Sequence, residues 1–448
     1  MVSNYTGSCD LRIAVGISIL AIFFLAGAAW AQPHEEWNKT FTGNALASSI
    51  AQTRDGGYII AGNIDSYEGV GLLIKTDVIG NEQWNKTFKG EKERHSGDWG
   101  KNQVSSVKQT SDNGYILAGS VLEGHTIMYE SERPDYGVWL IKTDAKGNEL
   151  WNKTYGGQGE EGAYSVQKTK DGGFIIAGYT ESYGSGDDDA WLIKTDANGN
   201  EQWNKTFGGI GFDQIYSGEQ TLDNGYILAG VTKSYGGNRA WLIKTDEKGN
   251  EQWNQVFGKG SGDAYSAQQA IDGGYILTGS KEVSDLAMSA WPAWLIKTDE
   301  KGVEEWNRTF SNQSDARYVR QTEDSGYIIA GRIWGNDFGD FNALLLKTDA
   351  FGNEEWNITF GGKADDFASS VAQTSDGGYV IAGTTNSHDY GIGDAWLIKV
   401  SGEPDRIDDK TLTDDPALTA RTEKVAGFGA TLAITILLAV YIIGRKRH

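Results

Sequence analysis

The chain is 448 residues long, with 60 glycines, 5 prolines and 11% aromatic residues, a composition suited to short strands, tight turns and large rings to bury. Its formal net charge of −21 and the lack of any basic stripe argue against nucleic acid as a partner and favour solubility and cationic partners. The only cysteine is Cys9, so once a leader is removed no disulfide, zinc thiolate or cysteine nucleophile is left.

Residues 13–31 form an apolar run preceded by Arg12 and ending in Ala29-Trp30-Ala31, a small-x-small cleavage pattern. Residues 1–31 are therefore expected to be a signal peptide, cut after Ala31, with an uncleaved anchor as the alternative, since the apolar run is about 19 residues long. Next comes Glu36-Trp37-Asn38-Lys39-Thr40-Phe41, which reads as a strand with no partner before it.

From there to Lys399 one pattern recurs seven times. A D-x-G-[YF] turn stands at Asp55, Asp112, Asp171, Asp223, Asp272, Asp324 and Asp376. An L-[IL]-K segment ends at Lys75, Lys142, Lys194, Lys244, Lys297, Lys347 and Lys399. A W-N pair stands at Trp37, Trp84, Trp151, Trp203, Trp253, Trp306 and Trp356. The period is about 50 residues, the size of a propeller blade or a solenoid repeat. In the third copy, 163–169 is a strand of small and polar residues, and Asp171-Gly172-Gly173 is a tight turn needing glycine at positive φ. Strands at 174–179 and 190–195, a second turn at 196–199 and a fourth strand at 201–207 complete the unit. No segment of useful length has a helical period, so four short strands repeated seven times predict an all-β, seven-bladed propeller occupying 32–401. The seventh copy has three strands, at 368–374, 378–383 and 395–400, and lacks its fourth. The orphan at 36–41 is predicted to supply it, closing the ring and burying Trp37 against the last blade.

The segment L-I-K-T-D-x-x-G-N-E-x-W resembles the tryptophan-docking repeat of quinoprotein dehydrogenases and their non-catalytic propeller relatives. The matching residues include Asp144/Gly147/Trp151, Asp196/Gly199/Trp203, Asp246/Gly249/Trp253 and Asp349/Gly352/Trp356. The resemblance implies the fold and a tryptophan packed between neighbouring blades. The quinoprotein enzymes have eight blades and a vicinal disulfide near their cofactor. This chain has seven copies and no mature cysteine, so the architecture is inferred from the resemblance and the activity is not.

Beyond the repeats, 402–424 is rich in Asp, Thr and Pro and reads as a stalk. Residues 425–444 are apolar and long enough to span a bilayer; the basic tail 445–448, with Arg445-Lys446-Arg447, would stay cytoplasmic. This end resembles archaeal sorting signals of the PGF-CTERM kind, with Ala426-Gly427-Phe428 where that family has Pro-Gly-Phe. That resemblance implies processing by an archaeosortase and attachment at the S-layer. An ordinary transmembrane helix is the alternative. In either case the propeller is expected outside the cell.

No metal-spaced histidine pair, nucleophile elbow or phosphate loop is present, and the five histidines are scattered. The repeated aspartates read as turn residues, so no catalytic, cofactor or metal residue is assigned. The connections between strands two and three, and between blades, vary in length and share one face, where function is to be sought. That face carries acid at Asp187-Asp188-Asp189, Glu160-Glu161, Asp213, Asp263, Asp315, Asp340, Asp365-Asp366 and Asp394. Without the spacing of a calcium loop it is expected to bind divalent cations only weakly, if at all. The second copy has two insertions on that face, at 89–102 and 123–136. They hold His95, Asp98, Trp99, His125, Tyr129, Glu130, Asp135 and Tyr136, candidate anchors for a protein or glycan partner. Sequons at Asn38, Asn85, Asn152, Asn204, Asn307, Asn312 and Asn357 are candidate glycosylation sites, facing outwards if the adjacent tryptophans are buried. The leading expectation is a non-enzymatic, membrane-anchored surface propeller acting by binding or adhesion. The competing one is an exported quinoprotein-like dehydrogenase or polysaccharide-active enzyme, which needs a deep axial pocket; a scaffold needs only a flat or shallow loop face.

Overall fold

Two tight turns fold each repeat into a four-stranded antiparallel sheet. The computed structural model describes residues 32–402 apart from 42, 65–68, 91–101, 129–130, 259, 284–290, 312–313, 336–339 and 388–392; of 126–128 and 131–133 it describes the backbone alone. The expected signal peptide, the stalk after Gly402, the 425–444 segment and the basic tail lie outside these residues. Among the described residues no helix is long and apolar enough to cross a membrane.

In the third blade the strands are Glu161–Lys168, Phe174–Thr180, Asp189–Thr195 and Glu201–Phe207, hydrogen-bonded in that order. The turn after the first strand is built around Asp171, which accepts from the Thr169 hydroxyl at 2.5 Å and the Gly173 N–H at 3.1 Å. Its other oxygen pairs with the Lys194 ammonium at 2.8 Å. All seven L-[IL]-K lysines make this pair with the turn aspartate of their own blade, at 2.7–3.1 Å. The left-handed position is the middle residue, Gly172 at φ 85°, and Asn113, Asn224 and Ser325 fill it in other copies. The invariant Gly173 serves close approach instead, since a Cβ there would collide with the Thr195 carbonyl and the Lys194 ammonium.

Tryptophans join the blades. The ring of Trp151 occupies the space a Cβ on Gly199 would need in the second turn of the next blade, and packs against Phe174, with centroids 6.5 Å apart. The same contact recurs from Trp37 to Gly80 and from Trp306 to Gly352. Seven apolar clusters result, each formed by two adjacent blades, and the one joining Val380 and Leu397 to Ile50 and Ile60 unites the last blade with the first.

The ring closes as the strand count requires. Glu35–Phe41 pairs antiparallel with Asp394–Val400, completing the sheet that holds Tyr379–Thr385 and Asp366–Gln373. Glu36 adds an ion pair to Lys399 at 3.3 Å. Trp37 itself departs from expectation. It is half-buried and faces the first blade, 5.9 Å from Tyr58, because every outer-strand tryptophan docks forward onto the next blade.

The insertion at 123–136 is not a loop. Tyr115–Met128 and Ser131–Thr143 run on as one long hairpin, with His125 opposite Pro134 and Leu122 opposite Tyr136. Backbone pairing continues there although the side chains do not alternate in polarity.

Candidate functional site

The site begins with a repeated irregularity. In every blade the innermost strand carries a β-bulge against the second strand, and the register skips one residue. The skipped residues are Ser48, Ser105, Tyr164, Tyr216, Tyr265, Arg317 and Ser369. Opposite each bulge stands a glycine, Gly178 in the third blade, whose added Cβ would overlap the carbonyl of Gly162. The A-G or T-G pair of the second strand is therefore what lets the inner strand approach closely enough to bulge. Hydroxyls tie neighbouring bulges together: Ser106 Oγ accepts from Val166 N at 3.2 Å, and Ser49 Oγ from Val107 N at 3.3 Å.

All seven skipped residues line one cavity of about 900 Å³ on the propeller axis. Thr384, Asn386 and Gly393 of the last blade also line it, which places its mouth on the face of the variable connections. The loop face is therefore concave at the axis.

The lining is lopsided. At the bulge positions blades three to six supply three tyrosines and an arginine, whereas blades seven, one and two supply serines; Arg332 of blade six and Phe367 of blade seven also line the cavity. The tyrosines form a column. Tyr164 meets Tyr216 edge-on at 5.1 Å, Tyr216 lies 5.5 Å from Tyr265, and the Arg317 guanidinium sits 4.3 Å over the Tyr265 ring. Hydrogen bonds fix its two ends. The Tyr164 hydroxyl donates to Gln214 at 3.0 Å, Gln214 in turn donates to Asp188 at 2.5 Å, and the Tyr265 hydroxyl donates to Asp263 at 3.2 Å. Burial pushes the Tyr164 hydroxyl up to about 12, and raises those of Tyr216 and Tyr265 as well, so the column is neutral at physiological pH. Asp315 holds the cationic end. It takes Arg317 in a two-pronged pair at 3.1 Å and Arg332 at 2.7 Å. Arg332 also lies 4.3 Å over Phe341 and 5.3 Å over Phe367.

The acidic residues of the loop face are largely engaged within the fold. Glu161, Asp213 and Asp366 are fully buried at the start of their inner strands. Asp213 accepts from Gly209 N at 3.0 Å and the Ser234 hydroxyl at 2.6 Å, and Asp366 from Gly362 N at 2.9 Å and the Ser387 hydroxyl at 2.7 Å. Each closes the loop leaving its blade's second strand. Asp189 is raised to about 6 by burial and by Asp213 and Asp188, against the hydrogen bond from Ser185. Asp135 is raised to about 6 by burial and by Glu161 and Glu123. Neither lines the cavity. Among the described residues no group of three or more His, Cys, Asp or Glu is arranged to hold a metal ion.

Of the candidate anchors in the second copy, His125, Asp135 and Tyr136 lie on the extended hairpin, and none of them lines the axial cavity. Tyr136 is buried at the hairpin base, where its N–H donates to the Gly159 carbonyl at 3.2 Å. His95, Asp98, Trp99, Tyr129 and Glu130 lie outside the described residues, as does Asn312. Asn38, Asn85, Asn152, Asn204 and Asn357 are exposed on the outer strands, and Asn307 is half-buried. These asparagines also have internal partners. Asn204 donates to Glu201 at 2.6 Å and accepts from the Trp191 indole at 3.2 Å. Asn254, which has no sequon, makes the same two bonds to Glu251 and Trp241 at 2.6 and 3.3 Å.

The tyrosine–arginine column is the feature that repeat reading passes over, because its strand looks merely small and polar. One signal is available in the sequence: a single position that changes among Ser, Tyr and Arg while its neighbours stay nearly constant.

No protein-family model and no curated protein matches the chain. Among solved structures it is similar to the WD40 domain of Pan2 from Neurospora crassa, at 11% identity and a TM-score of 0.51, over 84% of this chain and 96% of that one. It also matches a protein of unknown function from Dyadobacter fermentans, at 10% identity and a TM-score of 0.47, over 83% and 100%. Sqt1 from Chaetomium thermophilum matches at 10% identity and a TM-score of 0.46, over 82% and 98%. At such identity the likeness to the Pan2 domain is one of fold. The chain is a seven-bladed β-propeller with WD40-like neighbours.

Proposed function

We propose that this chain is a non-enzymatic binding propeller held outside a cell membrane, with the axial cavity as its ligand site. The observation that carries this reading is the convergence of one bulged residue from each of seven blades on a single cavity. Its volume lies within the usual range for ligand pockets. The lining supports binding: tyrosine rings, serine and threonine hydroxyls and Asn386 surround two arginines that Asp315 already holds. The apolar run before Ala31, and the 425–444 segment followed by Arg445-Lys446-Arg447, support export and anchoring. The docking tryptophans and Ala426-Gly427-Phe428 support an archaeal surface protein of the quinoprotein-like repeat type, retained at the S-layer. Labelling intact cells with a membrane-impermeant amine reagent tests the placement. Lys170, in an exposed turn, should be modified without lysis and Lys446 only after it. Modification of Lys170 only after lysis would contradict an external propeller.

A further inference from the structure

The cavity has two unlike walls, and together they specify a chemistry. One is the tyrosine column. The Tyr216 hydroxyl, at its centre, has no hydrogen-bond partner among the described residues, while those of Tyr164 and Tyr265 are tied to Gln214 and Asp263. Facing it are Ser48, Ser105 and Ser369, with Thr384 and Asn386 at the rim, which supply short hydroxyl and amide groups able to donate and to accept.

Charge narrows the choice. The two guanidiniums at the cavity share the Asp315 carboxylate, and Arg317 also lies in the field of Asp263. Two cations facing two carboxylates leave little net attraction for an anion, and the net charge of the chain, −21, opposes one further. Ring geometry excludes a flat heterocycle held between parallel faces, because the tyrosine planes meet at 68° and 41°. Tilted rings instead offer separate faces to a ligand that is apolar on one side and rich in hydroxyls around its edge. Sugar rings have that character.

Resting on the reading of the cavity as the ligand site, we infer that it takes an uncharged oligosaccharide, with a sugar ring against the tyrosine column at Tyr216 and sugar hydroxyls reaching the serine wall and Asn386. A cavity of about 900 Å³, near the upper end of ligand pockets, has room for more than one ring.

Calorimetric titration of the full-length protein tests this. Cellohexaose, mannohexaose and chitohexaose serve as neutral probes, and a hyaluronan hexasaccharide and inorganic phosphate as anionic ones. At least one neutral probe should bind. Tyr216→Ala should weaken it roughly tenfold, equivalent to about 1.4 kcal/mol. Tyr216→Phe, which keeps the ring, should weaken it less, and Ser48→Trp, which fills the serine side, should abolish it. Melting temperatures establish that each variant is folded. Binding of the anionic probes alone, blocked by Ser48→Trp, would overturn the uncharged ligand and retain the cavity as a ligand site. Neutral binding indifferent to both Tyr216→Ala and Ser48→Trp would overturn the cavity itself. No binding by any neutral probe would overturn the saccharide.

Discussion

Lys194 shows how one residue can serve seven blades. Its side chain is 4% exposed, and a buried ammonium needs compensation. Asp171, the Thr195 carbonyl and Gln202 surround it at 2.8–3.0 Å. Burial alone would raise such a turn carboxylate. At Asp112 the Lys142 ammonium, the Thr110 hydroxyl and the Gly114 N–H outweigh burial and hold it at about 2. Asp55, Asp171, Asp223, Asp324 and Asp376 are lowered for the same reasons. A carboxyl with a lower pKa folded than unfolded contributes stability above its unfolded value, near 3.9, which is lost as pH falls towards its folded value. The contribution of the turn pairs should therefore hold between about pH 7 and 5, where protonation of Asp135 and Asp189, raised to about 6, lifts the melting temperature slightly, and the melting temperature should drop from about pH 4 towards 2. Lys194→Met, which keeps the apolar stem, should flatten part of that drop. A scan showing the same acid loss in the variant would remove the third-blade pair from the account.

Asn204 permits a test of what the sequons are for. Asn204→Ala strands the Trp191 indole N–H, and an unpaired buried donor costs about 1–3 kcal/mol. Thr206→Val destroys the sequon and leaves both Asn204 bonds in place. Denaturant unfolding should show the loss for Asn204→Ala alone. Equal destabilisation by Thr206→Val would mean that an attached glycan, and not the Trp191 contact, makes Asn204 important.

At the scale of the element, bulge and glycine form one device. Gly178→Ala drives a methyl group into the Gly162 carbonyl, so the inner strand must shift and carry Tyr164 with it. The cost expected from overpacking is about 1–3 kcal/mol, and the Tyr164–Tyr216 contact should loosen, read as a change in near-ultraviolet circular dichroism. An unchanged spectrum with unchanged stability would separate the glycine from the bulge. Much at this scale was legible in the repeats, namely the turns at Asp171 and Asp196 and the four-strand unit, and the tryptophan-docking resemblance added a tryptophan between neighbouring blades, though not that it docks forward. The rest was hidden for physical reasons. Lys194 and Asp171 stand 23 residues apart, and nothing local marks a buried lysine. The 123–136 hairpin is held by backbone pairing, which E-G-H-T-I-M does not announce by alternation. The axial residues look like drift until the bulges are seen to aim all seven at one point.

For the whole molecule, closure is what turns seven sheets into a ring with an inside. Glu35–Phe41 joins the start of the chain to its last blade, and its removal would expose an edge on Asp394–Val400 and uncover Tyr58 at the joint with the first blade. The cavity depends on that joint, because Ser48 and Ser369 line it from opposite sides. The most direct measurement is the thermal unfolding of a chain beginning at Gly43 beside the full chain. Loss of Trp37 alone should cost up to about 3–5 kcal/mol, so the account predicts a clearly lower melting temperature for the whole propeller in one cooperative transition. Equal melting temperatures, or a small early transition confined to one end, would contradict the closed ring.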